Sequence, residues 1–308
     1  MSARIEILVV AAILAIAACD GDNEDDDGPP TETPDLRGEC DQEAEVGRFY
    51  VQHEPDHSVV SGEVKDGVVP MTILEEIAAE GDCRLMRRNN PQCDPACEGG
   101  EACDHDGECV PYPQVVGVGE VRILGLNKDV TMGEGAYFDT SMPHPGFDPG
   151  AHVRLEAAGG GYEPFELYGR GVTPLELPAE TWVLREGEPL EISWTAAGDE
   201  QAHMLLTFNI DQHGNTPVTM FCVSDDTGSL QVPASLVDAF KEQGVSGYSA
   251  ANLYRITTDS VEMELGCVQF DIYSHATGDL QVEGHLPCDG DEDCPDGMTC
   301  DIPTNTCV

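Results

Sequence analysis

The residues best equipped for chemistry in this 308-residue chain are its thirteen cysteines. "CEGGEACDHDGECV", residues 97 to 110, sets three of them among glycines and acids with five residues in each gap. Such a stretch could ligate a metal, imitate a calcium loop or form a disulfide staple. Structural zinc sites use paired knuckles of two cysteines two to four residues apart, whereas these cysteines are spread nearly evenly. The quartet Cys93, Cys97, Cys103, Cys109 also has a copy at Cys288, Cys294, Cys300, Cys307. Both begin Cys-Asp, both carry Gly between the second and third cysteines, and both close Cys-Val. A module of about twenty residues has no real core and depends on crosslinks for its shape. Both quartets therefore read as staples. Four cysteines permit three connectivities and sequence does not choose among them. First to third with second to fourth is preferred, because interlocking pins both ends of so short a segment.

Other constellations are thin. His53-Glu54-Pro55-Asp56-His57 spells H-E-x-x-H, but Pro55 disfavours the helix that would set its two histidines on one face. "GVSGYS" around Ser246 misses the G-x-S-x-G nucleophile elbow, since its second glycine comes one residue early. Gly159, Gly160 and Gly161 lack the lysine of a phosphate loop and read as a turn. "HPGFDPGAH" brings His144 and His152 near Asp148, but on a Pro- and Gly-rich loop that fixes no ligand geometry. Carboxylate pairs are everywhere in so acidic a chain, and none can be singled out as a glycosidase pair. No catalytic residue, metal ligand or cofactor-binding residue is assigned.

The redox compartment follows from the N-terminus. Met1–Glu6 carries Arg4, and residues 7–18 are unbroken apolar sequence ending in small residues. That is the pattern of a signal peptide, too short to span a bilayer, which takes ~20 apolar residues. Ile16-Ala17-Ala18-Cys19 resembles the lipobox of bacterial lipoproteins, in which the thiol of the cysteine is joined to diacylglycerol. The resemblance makes Cys19 a lipid tether and the membrane a partner through that lipid. The twelve remaining cysteines are an even number in an exported chain, where disulfides are expected. Those outside the quartets group by position as Cys40 with Cys83 and Cys222 with Cys267.

Residues 20–35 hold eight acids, three prolines and no base. Such a segment buries little apolar surface and its like charges extend it, so 19–37 is expected to be a disordered stalk. Asn23, Asp25, Asp27 and Gly28 imitate an EF-hand start, but Pro34 stands where a bidentate Glu is required. Fourteen bases against fifty-nine acids give a net charge of −45. Nucleic acid is excluded as a partner by that charge, and the unknown partner is sought in the envelope or outside the cell.

The elements that would position any site read as mainly β. "GEVRILGL", "HVRLEAA", "LEISW", "HMLLTFNI", "PVTMFCV" and "EMELGCVQFDIY" are short apolar runs separated by turn-rich segments. They predict an antiparallel β-sandwich, immunoglobulin-like or fibronectin-like, over 112–276. One helix is expected from about Pro233 to Gln243, with Leu236, Val237 and Phe240 as its apolar stripe. Residues 38–92 read as a separate small α+β unit, with strands in "GRFYVQ" and "SVVSGEVKDGVV", a helix in "MTILEEIAAEG" and a Cys40–Cys83 bridge. Cysteine modules occupy 93–111 and 277–308.

"GDCRLMRRNNPQCDPACEGGEACDHDGECVPYP", "VGVGEVRILGL" and "CVSDDTGSLQVPASLVDAF" together resemble the cysteine-rich lipoproteins of myxobacteria and related predatory Gram-negative bacteria. The resemblance implies a modular protein of the cell envelope, lipid-anchored, by expectation at the outer membrane, and carries over no catalytic residue. The expected function is that of a non-enzymatic binding or scaffold module. A cell-surface hydrolase acting on polysaccharide or peptide is the alternative.

Overall fold

The computed structural model describes residues 28–89, 91–135, 137–211 and 218–308. The signal peptide, Cys19 and residues 20–27 of the expected stalk lie outside the described residues.

The chain first forms β1 (Glu45–His53), β2 (Ser58–Val64), β3 (Leu74–Glu80) and β4 (Cys83–Arg88). The first cysteine quartet holds the short hairpin β5 (Glu101–Cys103) and β6 (Cys109–Pro111). There follow β7 (Val121–Leu124), β8 (Val130–Met132), β9 (Phe138–Asp139), β10 (His152–Ala157) and β11 (Phe165–Arg170). Next come β12 (Thr181–Leu184), β13 (Leu190–Ser193), β14 (His203–Asn209), β15 (Val218–Asp225) and β16 (Ser229–Val232). The helix α1 (Ala234–Lys241) precedes two long strands, β17 (Ala250–Met263) and β18 (Gly266–Val282). The second quartet ends the chain with β19 (Cys300–Asp301) and β20 (Thr306–Cys307).

The protein is mainly β, as the alternation in the sequence predicts. In β10 Val153, Leu155 and Ala157 are buried while His152, Arg154 and Glu156 keep some exposure, the period of two of a strand with one covered face. The helix forms where its stripe predicts, with Leu236, Val237 and Phe240 buried.

The assembly of these strands differs from an antiparallel sandwich over 112–276. A ten-stranded mixed sheet runs in the order β3-β4-β15-β14-β17-β18-β1-β2-β9, with β12 also pairing β18. Both β1 and β12 run parallel to β18. Residues 38–92 are thus no separate unit: β1 and β2 add to one side of β18, and β3 and β4 reach the sheet through β15. The boundary at 277 also moves, since β18 continues to Val282.

Where a helix was expected in "MTILEEIAAEG", β3 forms. Its spacing of Leu74, Ile77 and Ala78 suits a helix, but β4 offers it a ladder, and a register shift between Glu76 and Ala78 absorbs the mismatch. Gly81, which reads as a helix stop, instead takes φ +61° in the two-residue turn joining Glu80 to Cys83. Tertiary pairing overrides local propensity here.

Two hydrophobic cores lie on one face of the large sheet. One gathers Phe49, Val51, Phe270 and Ile272 against Ile123, Leu155 and Leu167 of the four-stranded sheet β11-β10-β7-β8. The other gathers Leu206, Phe208, Met220 and Leu253 against α1, β12 and the pair β13-β16. The hairpin β17-β18 is long enough to serve both. Contact is close: a Cβ at Gly278 would lie 2.0 Å from the Trp182 ring. Gly278→Ala is expected to destabilise the protein by about 1–3 kcal/mol through overpacking. Thermal melts of the variant check this, and an unchanged midpoint would show that the ring moves aside freely.

The disulfides follow the sheet rather than the sequence. Cys40 bonds Cys267 and Cys83 bonds Cys222, in place of the expected pairs Cys40 with Cys83 and Cys222 with Cys267. The reason is register. Cys83 lies directly opposite Cys222 on paired strands, and the parallel alignment of β1 with β18 brings the segment before β1 beside Cys267. Within the quartets Cys93 bonds Cys103 and Cys97 bonds Cys109, and Cys288 bonds Cys300 and Cys294 bonds Cys307. Both are first to third and second to fourth.

Candidate functional site

With both cores on one face, the opposite face of β1, β18 and β17 is the open side of the sheet. Alternation fixes which residues it presents. Phe270, Ile272 and Ala276 point inward, so Asp271, Tyr273, His275 and Thr277 point outward, beside Tyr50 and Gln52 of β1 and Asn252 and Tyr254 of β17. Tyr50, Gln52, Tyr254, Tyr273 and His275 are all partly exposed.

These side chains form a connected cluster. Tyr254 and His275 stack with ring centroids 4.8 Å apart, and Tyr273 meets Tyr254 edge to face at 5.6 Å. The Tyr273 hydroxyl donates to Gln52 Oε1 at 3.0 Å. His275 Nδ1 lies 2.8 Å from Glu54 and its Nε2 3.2 Å from Asn252 Oδ1, which also accepts from Thr277. Burial, reinforced by the neighbouring phenols of Tyr50 and Tyr254, holds the Tyr273 hydroxyl well above its ordinary pKa, so it stays a donor. The cluster offers ring surfaces, amide and carboxylate acceptors and an imidazole. That set suits recognition of a polar ligand by hydrogen bonds and ring contact.

At one end the open face is closed by the N-terminal segment. Cys40 donates its backbone N–H to Gln269, and Gln269 and Thr258 both donate to the buried Asp271, with Arg48 3.3 Å away. Burial raises the Asp271 pKa and outweighs Arg48 and the two donors. Residues 28–37, expected to be stalk, lie along the domain. The Gly28 carbonyl accepts from Arg154, Thr33 bonds His152, and Arg37 makes a two-pronged contact with Asp259. Arg37 is one of fourteen bases, and a buried carboxylate draws it down.

A polar belt on the inner face separates the two cores. Arg255, 1% exposed, pairs with Asp226 at 2.9 Å and donates to the carbonyls of Thr173, Pro174 and Thr195. Thr257 and Asp259 then occupy the free edge of β11 by bonding the backbone of Arg170 and Tyr168. Burial alone would raise the pKa of Asp226 and Asp259. Donors from Ala197, Arg255 and Trp194 for the first, and from Arg37 and Tyr168 for the second, reverse this and hold both below the usual carboxylate value. A depressed native pKa contributes stability above the unfolded value of about 4 and loses it as pH falls through the native one. Asp271, whose pKa is raised, takes up its proton above that unfolded value, whereas Asp226 and Asp259 act below it. Stability to urea is therefore expected to fall from about pH 4 to about pH 2, and a rise over that interval would contradict these assignments.

The residues that read as possible metal or catalytic groups are not brought together. His144 Nδ1 bonds Ser58, His152 Nδ1 bonds Thr33, and Asp148 accepts from Asn127. Ser246 donates to the carboxylate of Asp211, a contact that ties its loop to the end of β14. Gly159 takes φ +84° in the turn joining β10 to β11, as the glycine run predicts. Among the described residues, the close groups of three potential ligands are cysteines of the two quartets, and those sulfurs are joined in disulfides. Sequence reasoning missed the open-face cluster. The alternation of Asp271, Tyr273, His275 and Thr277 with apolar residues was the available signal.

Compared with known proteins, the chain matches no family model and no curated protein.

Proposed function

We propose that this protein is a non-enzymatic binding module of the cell envelope, anchored by lipid on Cys19, which presents the open face of its sheet to a ligand. The observation that carries the reading is the cluster of Tyr50, Tyr254, Tyr273 and His275 with Gln52, Glu54 and Asn252, on the face away from both cores. An aromatic group with satisfied polar neighbours is pre-organised for contact, and a rigid framework lowers the entropy lost on binding. In this reading the layered β framework serves as the rigid scaffold that presents this face. The lipobox-like Ile16-Ala17-Ala18-Cys19 supports the anchor, and the disulfides suit an oxidising compartment.

Two experiments test it. Cys19→Ser is expected to move the protein out of the membrane fraction, and retention there would remove the lipid anchor. The purified protein and a Tyr273→Ala, His275→Ala double variant are then compared for binding to envelope fractions and for turnover of glycan, ester and peptide panels. Binding that the double variant loses, with no turnover, is expected. Turnover that survives purification and disappears with one side chain would overturn the reading.

A further inference from the structure

A second surface lies at the other end of the large sheet, apart from the open-face cluster. β18 outruns its neighbour there. Its pairing with β17 ends at Ala251 opposite Gly278, while β12 continues alongside Asp279 to Val282 on the opposite edge. Backbone groups of successive strand residues point to alternate edges. Glu283 donates to Leu184 on the β12 side, so Leu280 and Val282 aim their backbone groups the other way, into the track that β17 has left. Among the described residues the Val282 carbonyl is taken by His285, and no hydrogen bond reaches the Leu280 N–H, the Leu280 carbonyl or the Val282 N–H. Leu280 and Val282 belong to the core, each residue as a whole 4% exposed, and they reach the surface as part of the lining of the groove described next.

The chain before β17 diverges because the C-terminal quartet holds it. Gly247 donates to Thr304, and its carbonyl bonds His285 at 2.7 Å. The divergence opens a groove of about 390 Å³ along the strand edge. Two exposed apolar residues line it: Tyr248 from the segment before β17, 43% exposed, and Leu286 from the start of the quartet, 44% exposed. The rim is acidic. Asp279 lines the groove, and Tyr248 is held above its ordinary pKa by desolvation, by a hydrogen bond with Asp289 and by the charges of Asp289 and Asp293. Among the described residues the lining contains neither lysine nor arginine.

We infer that this groove takes an extended basic peptide segment, which adds as a strand to the free edge of β18 at Leu280–Val282. Backbone groups aligned along an edge are matched by another backbone in the same extended state. An apolar side chain of the peptide would sit between Tyr248 and Leu286. Flanking lysines or arginines would face the acidic rim, on a protein whose net charge of −45 repels acidic partners. The tyrosine and histidine cluster of the open face takes no part.

The test uses the full chain and three fluorescein-labelled octapeptides, read by fluorescence anisotropy. The first alternates lysine with valine, the second is the same peptide N-methylated at alternate residues, and the third alternates glutamate with valine. The basic peptide is expected to bind, more weakly at 500 mM than at 50 mM salt. Methylation, which removes backbone donors, and the acidic replacement are each expected to weaken binding at least tenfold. Leu286→Ser, an exposed change that should fold normally, is expected to weaken it by about tenfold. Tyr273→Ala with His275→Ala should leave it unchanged. Equal binding of the methylated peptide would show charge attraction alone and overturn the inference, as would failure of the basic peptide to bind. Loss of peptide binding in the open-face double variant would place the site elsewhere and also overturn it. The open-face reading fails separately, through the envelope fractions.

Discussion

Arg255→Ala is expected to destabilise the fold by about 3–5 kcal/mol, the cost of breaking a buried ion pair. The shift in a urea unfolding midpoint measures it. Arg255 is 1% exposed and its partner Asp226 is also buried. The guanidinium does more than pair. It ties the segment after β11 through Thr173 and Pro174, the segment after β13 through Thr195, and the turn after β15 through Asp226, all onto β17 at the boundary between the two cores. Alanine would leave three carbonyls and a carboxylate without their donor. Asp226 would keep Trp194 Nε1 and the Ala197 N–H, so Asp226 is expected to remain ionised and buried without its cation. Asp226→Asn should cost less than Arg255→Ala, because the three carbonyls still hold Arg255. Replacing both with Met and Leu should recover much of the loss, since an apolar pair of similar volume avoids the desolvation of two charges. A change under about 1 kcal/mol for Arg255→Ala would show that water replaces the guanidinium freely.

The second large effect is expected at the long-range disulfides. Replacing Cys83 and Cys222 together with alanine should cost about 2–5 kcal/mol, the usual range for a native bridge. The bonded residues are 139 apart in sequence, and the bridge fastens β4, and through it the edge strand β3, to β15. Cys40 and Cys267 are 227 residues apart, and their bond closes the N-terminal segment over the buried group of Gln269, Asp271 and Thr258. The chain-entropy account makes such long loops the most effective, because they confine the unfolded chain most. Unreduced peptide mapping gives the direct check: the fragment with Cys40 should migrate with the one containing Cys267, and that with Cys83 with the one containing Cys222. Recovery of Cys40 linked to Cys83 would contradict the parallel placement of β1 beside β18.

The two bridges also show how far sequence reasoning reaches. Within each quartet closeness in the chain confines pairing to the four cysteines, which leaves three connectivities, and the interlocked one is what forms. For the other four, proximity in sequence was the wrong measure, since strand neighbours in a sheet need not be neighbours in the chain. The same cause merged the expected small unit of 38–92 into the main sheet.

By itself the sequence determined what depends on short-range chemistry. Alternation of period two set the β class and told inward from outward residues along strands such as β10. Leu236, Val237 and Phe240 marked the helix. Even cysteine spacing, argued against zinc geometry, marked the two crosslinked modules, and the acid count set the sign of the surface. Only the tertiary structure decided which strands meet. Register between distant segments depends on the summed packing of whole faces, which no local window contains. That packing turned "LEEIAAE" into an edge strand and placed Arg255 between two cores. It also gathered Tyr50, Tyr254, Tyr273 and His275 from three strands onto one open face, because β1 lies parallel to β18 and β17 antiparallel to it.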